Sequence, residues 1–169
     1  MPAVQSAAVA KRNARQMTPE EVLETQFGGP DTGIFTDGSC DPNPGPGGWG
    51  WVWVEKGEIL AQGNGREQDT TNNRMELQAL IKALQTLPGD RDLEVYSDSQ
   101  LCVNTINEWA QGWERRGWKR KGGPIKNLDL VQALYALAQE KPQIELRWIR
   151  AHDGARWNEY ADALAALDA

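Results

Sequence analysis

Apolar positions along the chain follow two periods. Leu77, Leu80, Ile81, Leu84 and Leu87 recur at helical spacing, and Pro88-Gly89 closes the run. Leu101, Cys102, Thr105, Ile106 and Trp109 predict a second helix. Leu128, Val131, Leu134, Tyr135 and Ala138 predict a third, and Trp157, Tyr160, Ala161 and Leu164 a last. Extended segments precede and separate them. Gly33 to Asp37 predicts a short strand and Asn43 to Gly48 a turn. WGWVWVE and EILAQGNGR, joined by Lys56-Gly57, predict a hairpin, with Trp49, Trp51 and Trp53 serving sheet packing. Leu93 to Asp98 and Ile144 to Ile149 predict two further strands. The order βββαβα(α)βα implies an α/β layered fold with a mixed sheet. Strands separated by helices should run parallel through right-handed crossovers.

Residues 1–32 read as an N-terminal appendage, partly disordered, and residues 33–169 as the single main domain. Within the appendage, Thr18 followed by Pro19, Glu20 and Glu21 predicts a capped helix from Pro19 to about Phe27. Residues before Met17 are expected to lack fixed structure. None of the candidate functional residues identified below lies before position 30, so the segment should be dispensable for function unless Val22, Leu23 and Phe27 dock its helix on the core.

Composition narrows the class. A chain of 169 residues, 40% hydrophobic and 25% charged, suits one globular domain. No apolar run approaches the roughly 20 residues that span a bilayer, and no secretory leader is apparent. The expectation is a cytoplasmic protein without membrane attachment. Cys40, Cys102 and the single His152 cannot build a disulfide framework or a zinc site. The net charge of −6 sits awkwardly with a polyanionic partner. Binding depends on local fields, however. Arg115, Arg116, Lys119, Arg120, Lys121 and Lys126 form a basic island interrupted only by Glu114.

Four acids stand where a solvated charge is unusual. Asp37 ends the first strand on the face of Phe35, and Asp98 ends the fourth on the face of Tyr96. On parallel neighbours both would converge at the carboxyl end of the sheet, where open α/β sheets bind ligands. Glu76 shares a helical line with Leu80, Ala83 and Leu87, and Asp162 one with Asn158 and Ala165. Gathered carboxylates repel one another, and a hard divalent cation resolves the repulsion. Oxygen ligands favour magnesium or manganese over zinc. Two such ions about 4 Å apart can activate water and stabilise a leaving oxygen in phosphoryl transfer. Taken singly, each acid also fits a blander role: a strand-end turn or cap, a first-turn acid, a helix-surface charge.

The segments TDGSCDPNPGPGGWG, TTNNRMEL, YSDSQ and AHDGARWNEYADALA, in this order, resemble the type 1 ribonucleases H from about Ile34 to Leu167. The resemblance implies the ribonuclease H-like fold, a five-stranded mixed sheet flanked by helices. It implies a monomeric endoribonuclease that hydrolyses the RNA strand of RNA/DNA hybrids with divalent metal, leaving 5′-phosphate and 3′-hydroxyl ends. It implies Asp37, Glu76, Asp98 and Asp162 as metal-binding carboxylates, with Mg2+, or Mn2+ as a substitute, as two ions in the site. It also makes His152, in the pattern His152-x-Gly154 ahead of Asn158 and Asp162, an aid to proton transfer or product release. Imidazole suits such a shuttle. Ala151 stands where the family pattern has glycine, and Asp153 adds an acid beside His152.

Telling RNA from DNA requires sensing the 2′-hydroxyl. Backbone groups of the turn from Cys40 to Asn43, the amides of Asn72 and Asn73, and Gln100 can supply such bonds; Asn72-Asn73 also reads as a helix-capping pair. Trp109, Trp113, Arg115, Arg116, Trp118, Lys119, Arg120 and Lys121 resemble the family's basic protrusion, which contacts the DNA strand. Stacking with phosphate neutralisation binds without sequence preference. Their other reading is a solvated helix hairpin anchored by tryptophans. Three rival classes stay open: a carboxylate-cluster nuclease of the integrase or transposase kind, a hybrid-binding module without catalysis, and a ribonuclease H domain detached from a reverse transcriptase. TTNNRMEL opposes the first, and the four carboxylates oppose the second.

Overall fold

In a computed structural model, which describes residues 16–168, a five-stranded mixed sheet divides the molecule into two cores. The strands are β1 (Gly33–Cys40), β2 (Gly45–Glu55), β3 (Glu58–Thr70), β4 (Leu93–Ser97) and β5 (Ile144–Trp148). Their order is β3-β2-β1-β4-β5. The β1–β2 and β2–β3 pairs are antiparallel, whereas β1–β4 and β4–β5 are parallel. Both helical crossovers therefore join parallel strands, as the element order implies.

Helix α1 is Pro19–Thr25 and α2 is Asn72–Thr86. The second crossover begins as α3 (Gln100–Asn104), widens into a π-helical turn (Thr105–Trp109) and continues as α4 (Ala110–Arg115). Helix α5 is Leu128–Glu140 and α6 is Arg156–Ala165. Among the described residues, no helix is long and apolar enough to cross a membrane.

Alternation along β2 assigns the faces. Trp51, flanked by Trp49 and Trp53, joins Ile34, Leu80, Leu84, Val131 and Leu134 on the α2/α5 side. Val52 and Val54 face the other way and pack with Phe35, Trp157, Tyr160 and Leu164. The expected role of the tryptophans in sheet packing holds. A Cβ on Gly63 would lie 2.6 Å from Trp51 Nε1, so the bare backbone of β3 is what the indole covers.

Two boundaries differ from expectation. The run Asn43 to Gly48 is not wholly a turn: β2 already begins at Gly45, and β1 continues to Cys40. The glycines there serve close packing rather than chain reversal. A Cβ on Gly48 would lie 2.1 Å from Ala165 O, and one on Gly50 would lie 2.7 Å from Ala165 N, so α6 rests directly on the strand backbone. The helix expected over Leu101 to Trp109 is interrupted by the π turn, which side-chain periodicity does not register.

The appendage helix forms between Pro19 and Thr25, with the Thr18–Glu21 capping box in place. Val22 is fully buried in the α6-side core, while Phe27 remains 72% exposed. The docking that would make this segment matter is thus real and runs through Val22. The expectation of disorder before Met17 falls, for residues 1–15, outside the described residues.

Candidate active site

The parallel β1–β4 pair sets the site. Phe35 stacks on Tyr96 with ring centroids 4.9 Å apart, and Thr36 pairs with Ser97. The next residue in each case is an aspartate, Asp37 on β1 and Asp98 just past the end of β4. Helix α2 brings the third carboxylate. Its approach depends on Gly38, where a Cβ would lie 2.3 Å from Glu76 N and from Met75 C. The same glycine's N–H donates to Asp37 Oδ1 at 2.9 Å and to Glu76 Oε1 at 3.0 Å. Ligand-capable oxygens of Asp37, Glu76 and Asp98 all lie within 4.8 Å of one another.

Asp37 and Glu76 are buried and Asp98 is half-buried, which disfavours their charged forms. Burial first, then the charges of Glu76 and Asp98, hold the Asp37 carboxyl well above the usual range. Burial pushes Glu76 up to about 8 against the opposing pull of its bonds with Asp37 and Gly38. Asp98 is raised as well, again chiefly by burial. Glu76 Oε2 is enclosed and has no hydrogen-bond partner. A buried acceptor is rarely left orphaned. A hard divalent cation among these oxygens would satisfy it and offset the mutual repulsion, so the donor set fits such an ion.

Asp162 lies beside this trio rather than within it. Its charge raises Asp98, its hydrogen bond raises Asp37, and its Oδ2 accepts from Gln16 Nε2 at 3.4 Å. His152 sits in the exposed loop ahead of α6 at φ +51°, with Nδ1 3.1 Å from Glu159 Oε1. Its positive charge would lower Asp98, so the loop lies within electrostatic reach of the trio.

The candidate substrate residues divide into two groups. Asn73, Trp109, Trp113, Arg116, Lys119, Arg120 and Lys121 line one groove of about 850 Å³ between α2 and the basic segment. The π turn presents Trp109 there, 6.2 Å from Trp113. The groove floor includes Cys102, whose thiol burial pushes up to about 12, so it is a wall rather than a nucleophile. Arg74 grips Asp129 at 2.8 Å and draws its carboxyl down to about 2, tying the starts of α2 and α5 across the groove. Arg115 and Trp118 do not line it; Trp118 packs edge-on against Tyr135, 5.9 Å away, as an anchor.

The second group lies at the other side of the α2 N-terminus. Asn43 Oδ1 accepts from Asn72 N at 3.1 Å, so turn and helix form one surface. Cys40 is buried, its Sγ directed to Pro42 O at 3.3 Å, so only backbone at this position could meet a substrate. Gln100 is exposed at the first position of α3.

Three supporting residues escape a reading of the sequence alone. Glu159 carries no signal in the sequence, yet it is 8% exposed and faces His152. Trp148 donates Nε1–H to Asp98 O at 3.2 Å, holding the backbone of a carboxylate from the neighbouring strand. Gly38 carries a usable signal, since a glycine inside a strand marks close backbone approach.

A family description for RNase H matches residues 30–169. A ribonuclease H of Herminiimonas arsenicoxydans is 53% identical over 133 residues, 78% of this chain and 90% of that protein. One of Agrobacterium fabrum is 48% identical, with the same two coverages of 78% and 90%. Among solved structures, LC9-RNase H1, a type 1 RNase H with the type 2 active-site motif, superposes with a TM-score of 0.68 at 33% identity, over 82% of this chain and 72% of that one. LC11-RNase H1 in complex with RNA/DNA hybrid gives 0.59 at 29% identity, over 78% and 91%.

Proposed function

The chain belongs to the ribonuclease H family, and we propose that it hydrolyses the RNA strand of RNA/DNA hybrids internally, leaving 5′-phosphate and 3′-hydroxyl ends. The observation that carries this is the close trio Asp37, Glu76 and Asp98 with its orphaned Glu76 Oε2. With Asp162 beside them, these residues would hold two divalent ions, magnesium in the first place and manganese as a substitute. Bound there, such ions would supply the activation of a water and the stabilisation of the departing oxygen of a phosphodiester.

The chain's own residues do the rest. Gly38 N–H fixes one oxygen each of Asp37 and Glu76, and Trp148 steadies the Asp98 backbone. His152, with Nδ1 against Glu159, keeps Nε2 to carry a proton between the reacting oxygens and solvent. Asn72, Asn73, Gln100 and the Cys40 to Asn43 backbone read the RNA strand through its 2′-hydroxyls. The groove of Trp109, Trp113, Arg116 and Lys119 to Lys121 holds the DNA strand by stacking and phosphate neutralisation. The reading takes the chain to act as a cytoplasmic monomer.

End-labelled RNA/DNA hybrid, RNA duplex and DNA duplex, each with magnesium, manganese or chelator, test it. Cleavage confined to the RNA strand of the hybrid and abolished by chelator is expected. Equal cutting of the DNA duplex, or activity in excess chelator, would overturn it.

A further inference from the structure

The family match begins at Pro30, and the segment just before it is built onto the active site. Helix α6, which carries Glu159 and Asp162, starts without a capping side chain: its N-cap is Ala155. The first amides of a helix need an acceptor from outside it. Here Gly28 O accepts from Arg156 N at 2.9 Å, and Gly28 N–H donates to Gly154 O at 3.1 Å. The two bonds make an isolated parallel bridge between Gly28 and Ala155. Fit is tight: a Cβ on Gly28 would lie 2.6 Å from Gly154 O, and one on Gly29 2.8 Å from the Ala155 Cβ. Arg156 closes the joint by donating Nη2–H to Leu23 O at 3.0 Å. Its guanidinium lies 5.3 Å from the ring centres of both Phe27 and Trp157. Upstream, Val22 is buried among α6 side chains, and Gln16 reaches Asp162.

The loop that bears His152 is thereby pinned at both ends. Ile149 N–H donates to Ser97 O at 3.0 Å, fastening the start of the loop to β4. Gly154 and Arg156 fasten its end to Gly28. Between the pins lie Arg150, Ala151, His152 and Asp153, all exposed. His152 and Gly154 both occupy the left-handed region, at φ +51° and +78°. Exposed backbone of that kind has little of its own to hold it. Without Gly28, the downstream end would rest on an uncapped helix terminus.

We propose that residues Gln16–Gly29 form a positioning strap for the catalytic loop: Gly28 caps α6 and fixes the end of the His152 loop, so that His152 is presented to the reaction in one place. Gly28 and Arg156 are positioning residues, acting through His152 and not on substrate. The inference rests on the role given to His152 above.

The test is a double-mutant cycle on the full chain, combining Gly28→Ala with His152→Ala. Gly28 is exposed, at an ordinary backbone angle, and its added methyl meets a carbonyl that cannot swing aside, so the bridge should open while the fold stays. Arg156→Ala loosens the same joint from its other side and repeats the measurement should Gly28→Ala reduce folded yield. Amide hydrogen exchange without metal should quicken at Gly154 to Arg156 in the single variant. Single-turnover cleavage should slow by up to about tenfold, as small misplacements of reacting groups do. Hybrid affinity should be unchanged, and the loss should vanish in the His152→Ala background. An equal loss in both backgrounds, weakened hybrid binding, or unaltered exchange at the joint would overturn the strap. If His152→Ala alone leaves the rate untouched, the role of His152 falls and takes the strap with it, whereas hybrid-specific, metal-dependent cleavage by the wild-type chain would still stand.

Discussion

The trio and the groove lie on either side of the start of α2 and are built on opposite principles. The trio is acidic, largely enclosed and closely held: Gly38 N–H, the Trp148 indole on Asp98 O, and strand register leave its carboxylates little freedom. The groove is positive and open, lined by long cationic side chains with Trp109, from the π turn, and Trp113 among them. On the proposed reading, the rigid trio would place charge to a fraction of an ångström, and the open groove would tolerate a sugar–phosphate chain of any sequence. Separating the two fields in space would let a chain of net charge −6 hold a polyanion as proposed.

The largest effect expected from this contrast is in the trio. Asp37→Asn or Asp98→Asn should leave less than about a tenth of wild-type turnover under saturating magnesium, since removing one oxygen ligand misplaces the metal. Steady-state cleavage checks it, and higher residual turnover would contradict the roles. The same substitutions should hold or raise the melting temperature of the metal-free protein, because they relieve repulsion between buried carboxylates.

His152 combines features of both regions: it is exposed like the groove, but paired with buried Glu159. His152→Ala should slow turnover by about 10²-fold or less and leave hybrid binding intact, as water can replace a shuttle in an open loop. Single-turnover rates beside binding isotherms decide it. A binding defect with an unchanged rate would move His152 from chemistry to recognition.

Next in size is the groove. Replacing Arg115, Arg116, Lys119 and Arg120 by alanine should raise the Michaelis constant and spare the turnover number at saturation. Each lost phosphate contact should also flatten the log-affinity against log-salt slope by about 0.9 on a B-form duplex. Arg115 lies outside the groove lining, so restoring it alone should recover less than restoring Arg116. Michaelis kinetics across a salt series measure both. A collapsed turnover number with an unchanged Michaelis constant would erase the division between the regions.

The two regions also differ in how far a sequence reveals them. Asp37, Glu76 and Asp98 are legible because each lies in a motif of fixed spacing and on a definable face of its element. The five-stranded sheet follows from the same periodicities. The groove is legible as composition only: six cations near one acid say that a basic surface exists, not that Arg116 lines it while Arg115 does not. The π turn leaves no mark, since its shift in phase lies in backbone bonding. Glycines mislead at Gly47 and Gly48, where close helix packing and a turn demand the same residue. Glu159 and Trp148 are invisible because their partners, His152 and Asp98, are set by tertiary packing. The strap is half legible: Thr18 to Glu21 announces its helix, but nothing in the sequence says that the carbonyl of Gly28 will cap α6.

The smallest expected effect concerns stability and pH, and it isolates the trio from the groove without any substrate. In the metal-free fold, burial lifts Glu76 from 4.5 to about 8, so across that window the folded protein binds more protons than the unfolded chain. Stability rises with pH only where the unfolded state binds more protons, so here it must fall as pH climbs from about 4.5 towards 8. Asp37 and Asp98, raised in the same direction, steepen the fall. Divalent metal competes with those protons, because a carboxylate must be deprotonated to serve as a ligand. Added magnesium should therefore raise the melting temperature more at the alkaline end of the window than at the acid end. Glu76→Gln, which keeps the shape and cannot ionise, should flatten both trends, whereas alanines in the groove should alter neither. Thermal melts across pH with magnesium or chelator measure all three. A metal-free melting temperature that rises through the window would mean that the trio is solvated and ionised, and that its likeness to a metal site ends at its spacing.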